Sequence, residues 1–109
     1  MEKLKVAFRK NGLNYNMIDR TVEVALFEQK IDNEVVGYEV CKIYFNKART
    51  LWGKNLPESE SIPSNEQFGY DGSKCFFPHD LKLAKEYFKE FDDKLSGANM
   101  PNLLLPKAI

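Results

Sequence analysis

Two cysteines and one histidine are the side chains of this sequence best suited to nucleophilic or metal chemistry. Cys41 and Cys75 lie 34 residues apart in apolar, strand-like surroundings, where a reduced cysteine usually packs as a small hydrophobe. A disulfide between them is the alternative. His79 follows Cys75 by four residues, about 12 Å along an extended chain, which is too far for it to act as a base on that thiol. We therefore expect neither thiol catalysis nor a metal site.

The charged residues near the C-terminus are arranged for solvation rather than for catalysis. Acids and bases alternate there at helical spacing, which is typical of a solvent-exposed helix face. The residues are Lys82, Lys85, Glu86, Lys89, Glu90, Asp92, Asp93 and Lys94. The chain also lacks a Cys-x-x-Cys pair and a Gly-rich phosphate-binding motif. An enzyme that uses carboxylates and a bound metal is the weakest hypothesis, and we predict a non-enzymatic protein without a cofactor.

Residues 42–54 hold the most distinctive charge pattern. They contain four basic residues and no acid, with Tyr44 and Trp52 interleaved. Cations and flat rings are what a phosphate backbone and an unstacked base bind, whereas a solvated loop with Trp52 turned inward is the alternative. The candidate binding residues are Lys47, Arg49, Trp52 and Lys54, together with Phe68 and Tyr70 of the turn-rich segment 68–72. Residues 1–10 add four basic groups against one acid.

Alternation of apolar and polar residues predicts the strands that position these side chains. A first strand, with Leu4, Val6 and Phe8 on one face, ends at the turn Asn11-Gly12. The runs 18–30 and 35–45 predict one long hairpin.

A two-residue loop at Asp32-Asn33 fixes the predicted register of that hairpin. It places Val24 opposite Cys41 and Glu23 opposite Lys42, which is a favourable charge pair. On this register one sheet face carries Val22, Val24, Cys41 and Ile43.

The second half of the chain predicts a loop, a short strand and a helix. Residues 46–67 form a polar stretch with two prolines, long enough for a functional loop. After a short strand at 73–77, Asp80 is a suitable N-cap and Gly97 a suitable C-terminal stop. The helix places one apolar stripe over the sheet face just described. Its members are Leu81, Ala84, Phe88, Phe91 and Leu95. The fold class is therefore α+β, a small antiparallel sheet packed on one C-terminal helix.

Composition sets the size and the expected location of the protein. The chain has 109 residues, 43% of them apolar, enough for one domain at 1–97 followed by a tail at 98–109. Sixteen basic residues balance sixteen acidic ones, which argues against a polybasic nucleic-acid coat. The charged N-terminus predicts no export signal, and we expect a cytoplasmic protein without a membrane segment.

Several segments resemble small uncharacterised proteins of phages and integrated mobile elements. The segments are 20–28, 37–40, 63–69 and the helix around Ala84, Tyr87 and Phe88. Proteins of this kind share a strand pair, an acidic Pro-containing loop, a Phe-Gly or Trp-Gly turn and a closing helix. The resemblance covers about residues 15–95. It implies an accessory protein that binds a host or phage macromolecule, and it implies no particular activity.

Two functional hypotheses follow from these patterns. The first is a small binding module that works through protein–protein contact, or through self-association by the tail with its Leu103–Leu105 run. The second is an accessory protein that binds nucleic acid through residues 42–54 and the basic N-terminal strand.

Overall fold

A computed structural model describes residues 1–98 of the chain, and within that range it contains nine strands and one helix. The elements are β1 Ala7–Lys10, β2 Leu13–Arg20, β3 Val24–Ile31, β4 Glu34–Lys42, β5 Tyr44–Asn46, β6 Arg49–Leu51, β7 Lys54–Leu56, β8 Ser59–Ser61, β9 Lys74–Phe76 and α1 Leu81–Ala98. Five strands form an antiparallel sheet in the order β1-β2-β3-β4-β9, and α1 packs on one of its faces. The predicted α+β class is confirmed. Within residues 1–98, no helix is both long enough and apolar enough to cross a membrane.

The run at 18–30, predicted as one strand, is divided between β2 and β3. The Thr21 hydroxyl oxygen accepts hydrogen bonds from the backbone N–H groups of Glu23 and Val24, at 3.2 and 3.1 Å. A threonine that satisfies nearby backbone donors in this way favours a turn over a continuous strand. Val22 consequently lies at the turn with 80% of its surface exposed, so its predicted place under the helix is wrong.

The β3–β4 hairpin turns where the sequence predicts, but its register differs beyond the turn. Ile31 faces Glu34 around Asp32-Asn33. A β-bulge at Val36 then shifts every later pair by one residue, so that Ala25, not Val24, faces Cys41. Because side chains alternate between faces, this shift moves Cys41 and Ile43 to the sheet face away from the helix. The predicted positions of both residues under the helix are wrong.

Each face of the sheet has its own apolar cluster. On the helix side the buried residues are Val24, Leu26, Tyr38, Val40, Ala84 and Phe91, with Leu81, Tyr87, Phe88 and Leu95 packed against them. The predicted helix stripe is therefore confirmed, although Gly97 lies inside α1 rather than after it. The opposite cluster contains Tyr15, Ala25, Phe27, Cys41 and Ile43, covered by Leu4, Phe8, Leu13, Met17 and Ile62.

The polar stretch 46–67, predicted as a loop, contains three strands. β5 pairs with β8 and β6 pairs with β7, and the two ladders share one register, since Tyr44 faces Ser61 and Arg49 faces Leu56. Residues 44–61 therefore form one interrupted hairpin, which we call the arm. Within the described residues, β6 and β7 pack on each other and on no other strand or helix. The strand predicted at 73–77 is confirmed as β9. The predicted tail at 98–109 lies outside the described residues, except for Ala98 at the end of α1.

Candidate functional site

Trp52 lies at the tip of the arm, in the two-residue turn between β6 and β7. Both turn residues have positive φ, 54° for Trp52 and 76° for Gly53, which is the geometry of a type I′ hairpin turn. Asn or Asp is the favoured residue at the first of these positions, and a bulky side chain there costs about 1 kcal/mol or more. The Trp52 side chain is 91% exposed, so the indole points into solvent rather than into the core.

The strands below the tip carry cations and leucines on one face. Arg49 faces Leu56 and Leu51 faces Lys54 across the ladder, so these four side chains share a face. The other face holds Thr50, whose hydroxyl donates to the Asn55 side-chain oxygen at 3.1 Å. No acidic residue occurs between 46 and 57. The distal arm is therefore a narrow cationic ribbon with an amphipathic side.

A partly buried ion pair fixes the base of the arm to the sheet. The Arg20 guanidinium at the end of β2 donates to both carboxylate oxygens of Glu60 on β8, at 2.7 and 3.0 Å. The backbone N–H of Leu4 adds a third bond to Glu60 at 3.1 Å. These donors lower the pKa of Glu60 to about 2, with Arg20 as the largest cause. A charged, bidentate contact of this kind holds the direction in which the arm leaves the sheet.

Backbone pairing brings the N-terminal segment against the same base. The Glu2 N–H donates to the Glu58 carbonyl, and the Glu60 N–H donates to the Glu2 carbonyl, each at 2.9 Å. Glu2 lines a hollow of about 210 Å3 together with Lys47 and Arg49. It also lines a larger groove of about 640 Å3, which we call the N-terminal groove. The residues of that groove are 2–5, 8–10 and 60–62. Two basic segments that are far apart in sequence therefore meet in space.

The remaining candidate residues lie apart from this cationic region. Tyr70 is 95% exposed, and it lines a hollow against α1 whose residues, including Tyr87 and Lys94, do not overlap with those of the arm hollow. Phe68 is half-buried in the turn-rich segment. Only Asp71 of this segment is joined to the arm, where its carboxylate accepts a 2.7 Å hydrogen bond from the Tyr44 hydroxyl.

A polar cluster is buried in the sheet face away from the helix. Glu39 is 4% exposed, and its Oε1 accepts hydrogen bonds from the Tyr15 hydroxyl at 2.9 Å and from Gln29 Nε2 at 3.3 Å. Its Oε2 has no hydrogen-bond partner among residues 1–98. Burial is the main cause that raises the pKa of Glu39.

The cysteines beside this cluster are free thiols. Cys41 is buried as predicted, while Cys75 on the edge strand β9 is exposed, so its predicted burial is wrong. Although Cys75 as a whole is exposed, its sulfur lies 3.8 Å from Glu39 Oε1 and is partly shielded from solvent. This desolvation and the Glu39 carboxyl raise the pKa of Cys75 to about 11. A thiol with a raised pKa is almost entirely protonated at neutral pH, whereas a reactive cysteine needs a lowered pKa and a large thiolate fraction.

The sequence interpretation missed several residues that shape the site. Arg20, Glu60 and Glu39 each lie in a strand pattern without a local motif, because their partners are distant in sequence. Leu51 was detectable in principle, since it alternates with Arg49 through the turn Trp52-Gly53. In the part of the chain that the structure describes, no group of three or more His, Cys, Asp or Glu side chains could hold a metal ion. Comparison with protein-family models, with curated proteins and with solved structures finds no match for this chain.

Proposed function

We propose that this protein is a nucleic-acid-binding accessory module, with the arm as the binding element. The observation that carries the proposal is Trp52, which is fully presented to solvent in a backbone conformation that favours Asn. Residues held in costly conformations are often kept for function. The strands that lead to this indole carry Lys47, Arg49 and Lys54 and no acid between residues 46 and 57, and phosphate contacts require such cations.

The shape of the arm supports the same proposal. A two-stranded ribbon fits the major groove of a duplex, and an exposed indole can also stack on an unpaired base. Arg49 and Lys54 lie on one face of the ribbon, and Arg20 with Glu60 fixes its base. A preorganised ribbon loses less conformational entropy on binding than a loop would.

Protein contact is the second candidate function, and the exposed apolar side chains favour it. Phe45 and Leu51 accompany Trp52 on the arm surface, and Trp is a frequent hot-spot residue in protein interfaces. The resemblance to phage and mobile-element proteins is compatible with a nucleic-acid partner and with a protein partner. A role without catalysis is compatible with both as well. Binding to a protein through this apolar set would depend weakly on salt, whereas binding to phosphates depends on it steeply.

Fluorescence titration tests the proposal directly, because Trp52 is the only tryptophan of the chain. The purified protein is titrated with short single-stranded and double-stranded DNA and RNA at low and at high salt. We expect a saturable change in Trp52 emission and an affinity that falls steeply with salt. Arg49→Glu should weaken binding severalfold and reduce the logarithmic salt slope by about one.

A charge-matched variant on the helix provides the control. Lys82→Glu changes the net charge by the same amount as Arg49→Glu, but at an exposed position of α1. It should leave the affinity close to that of the native protein. Trp52→Asn removes the fluorophore, so its binding is measured by the anisotropy of a labelled oligonucleotide. It should weaken binding while stabilising the type I′ turn, since Asn suits its first position. Absence of salt-dependent binding, or an equal loss in both charge variants, would contradict the proposal and favour a protein partner.

A further inference from the structure

The N-terminal groove has an aromatic floor, formed by the half-buried Phe8. Phe8 on β1 stacks on Tyr15, with ring centroids 4.9 Å apart and planes at 15°. The Phe27 ring lies perpendicular to the Phe8 ring, with centroids 5.3 Å apart and planes at 80°. Tyr15 therefore covers one face of the Phe8 ring, while Phe8 itself lines the groove with Leu4 and Ile62. The groove offers a flat, rigidly held ring on which a second flat group can stack.

Cations surround this floor. Lys3, Lys5, Arg9 and Lys10 all line the groove. The Lys10 ammonium donates to the Pro63 carbonyl at 3.2 Å, which is a neutral partner. Of the two acids that line the groove, Glu60 is already paired with Arg20, which leaves Glu2. The groove is therefore complementary to a ligand that combines an apolar ring with negative charge.

We propose that the N-terminal groove binds single-stranded nucleic acid, with one base stacked on Phe8 and neighbouring phosphates on Lys3, Lys5 and Lys10. This inference rests on the proposed function and specifies the strandedness of the ligand. In a duplex the bases stack on each other, so none is available to an aromatic floor. A positively charged groove with an aromatic platform is the arrangement by which proteins bind single strands without sequence preference.

The groove and the arm form one continuous binding path. Glu2 lines both the groove and the hollow beside Lys47 and Arg49. A strand of a few nucleotides that leaves Phe8 would therefore pass Glu2, whose backbone pairs with that of Glu58 and Glu60, to reach the base of the arm. Single-strand sites of about 4–16 nucleotides are usual for such paths.

The test compares two single strands that differ only in their bases. One is a labelled thymidine oligonucleotide of about ten nucleotides, and the other has the same length with abasic sites throughout. Fluorescence anisotropy at low salt measures the affinity of the full chain for each. Since each stacked base strengthens binding considerably, we expect the thymidine strand to bind about tenfold or more tightly. A duplex of the same length should bind more weakly than the thymidine strand.

Two variants separate the groove from the arm. Phe8→Leu removes the ring but keeps apolar bulk, and it should reduce the preference for the thymidine strand severalfold. Phe77→Leu makes the same change at an exposed position outside the groove and should leave the preference unchanged. Circular dichroism checks that both variants fold, and Lys5→Glu tests the same groove without touching the core.

The outcomes distinguish this inference from the proposed function. If nucleic acid binds and Arg49→Glu weakens it, but thymidine and abasic strands bind equally, the base-binding groove is wrong and the arm proposal stands. The same conclusion follows if the duplex binds as tightly as the single strand, or if Phe8→Leu and Lys5→Glu are both without effect. If no nucleic acid binds at low salt, both proposals are wrong.

Discussion

Glu39 shows how a single buried residue contributes to this fold. Its carboxyl group lies between Tyr15 and Gln29, and the Tyr15 hydroxyl donates to it. A carboxylate at this position would leave Oε2 without a hydrogen bond, and burying an unpaired charge is costly. Burial raises the pKa of Glu39, so folding stabilises the neutral form of this acid relative to its form in the unfolded chain. The cluster is therefore best described as a hydrogen-bonded core element.

Glu39→Gln tests this description. The folded state retains the Glu39 proton to higher pH than the unfolded chain does. The free energy of unfolding therefore falls as the pH rises from about 4.3, the pKa of a glutamate in the unfolded chain, to the raised pKa of the folded state. The glutamine keeps an acceptor for Tyr15 and has no charge. We expect the variant to equal or exceed the native protein in stability at pH 7, by about 1 kcal/mol, with a flatter pH dependence in that range. Urea unfolding from pH 4 to 8 measures both.

Glu60 makes stability depend on pH in the opposite direction, so its contribution must be distinguished from that of Glu39. Its pKa is lowered from 4.5 to about 2, so its stabilising contribution is complete above pH 4.5 and is lost as the pH falls toward 2. The two groups therefore act in different windows. The exposed control Glu34→Gln should leave the native pH profile unchanged between pH 4 and 8. A marked loss of stability at pH 7 in Glu39→Gln would contradict a neutral Glu39.

At the scale of elements, the β3–β4 hairpin depends on a glycine beside its bulge. A Cβ atom at Gly37 would lie 2.9 Å from both the Gln29 Oε1 and the Phe76 backbone oxygen. The side-chain atom can move, but the β9 backbone is held by its ladder with β4. Close approach of a third strand is therefore the reason for glycine at this position.

Gly37→Ala should destabilise the protein by about 1–3 kcal/mol, since the inserted methyl group forces β9 away from β4. The urea midpoint at pH 7 measures the loss. Backbone amide exchange should show the largest increase at Lys74–Phe76. An unchanged midpoint together with unchanged exchange in β9 would show that the close approach is not restrictive.

The same hairpin shows how far the sequence predicts this fold. The turn at Asp32-Asn33 and the helix stripe follow from local patterns, and both are confirmed. The bulge at Val36 does not follow from the local pattern, because both registers place apolar residues on each face of the sheet. A sheet with two apolar faces weakly specifies its register by pattern alone.

The arm was missed for a different physical reason. Its strands are three residues long and carry polar side chains on exposed surfaces, so they lack the alternation that marks a half-buried strand. The turn Trp52-Gly53 was the available signal, weakened by Trp at a position where Asn is usual. The candidate residues Lys47, Arg49, Trp52 and Lys54 were identified by charge and type, while the groove at the N-terminus required tertiary structure.

At the scale of the whole molecule, the arm is separable from the domain that carries it. β6 and β7 pack only on each other within residues 1–98, whereas Asn46 and Ser59 still form a ladder pair at the base. Residues 47–58 therefore contribute to neither apolar cluster.

Replacement of residues 47–58 by Asn-Gly tests this separation. The two residues would close the Asn46–Ser59 pair with a type I′ turn. We expect a folded protein whose stability falls by about 1 kcal/mol or less, since the change lies outside the core, and whose affinity for nucleic acid falls strongly. Urea unfolding followed by circular dichroism measures the first, and anisotropy the second. A variant that fails to fold would show that the arm supports the core.

The exposure of the only tryptophan also determines how tryptophan fluorescence responds to unfolding of this protein. Its indole is already hydrated in the native state, so its emission maximum will hardly move when the chain unfolds. A melting curve recorded at that wavelength would be nearly flat, and the protein would be mistaken for an unfolded or an exceptionally stable one. Tyr15 and Tyr38, both buried in the sheet, are the chromophores that report on the core.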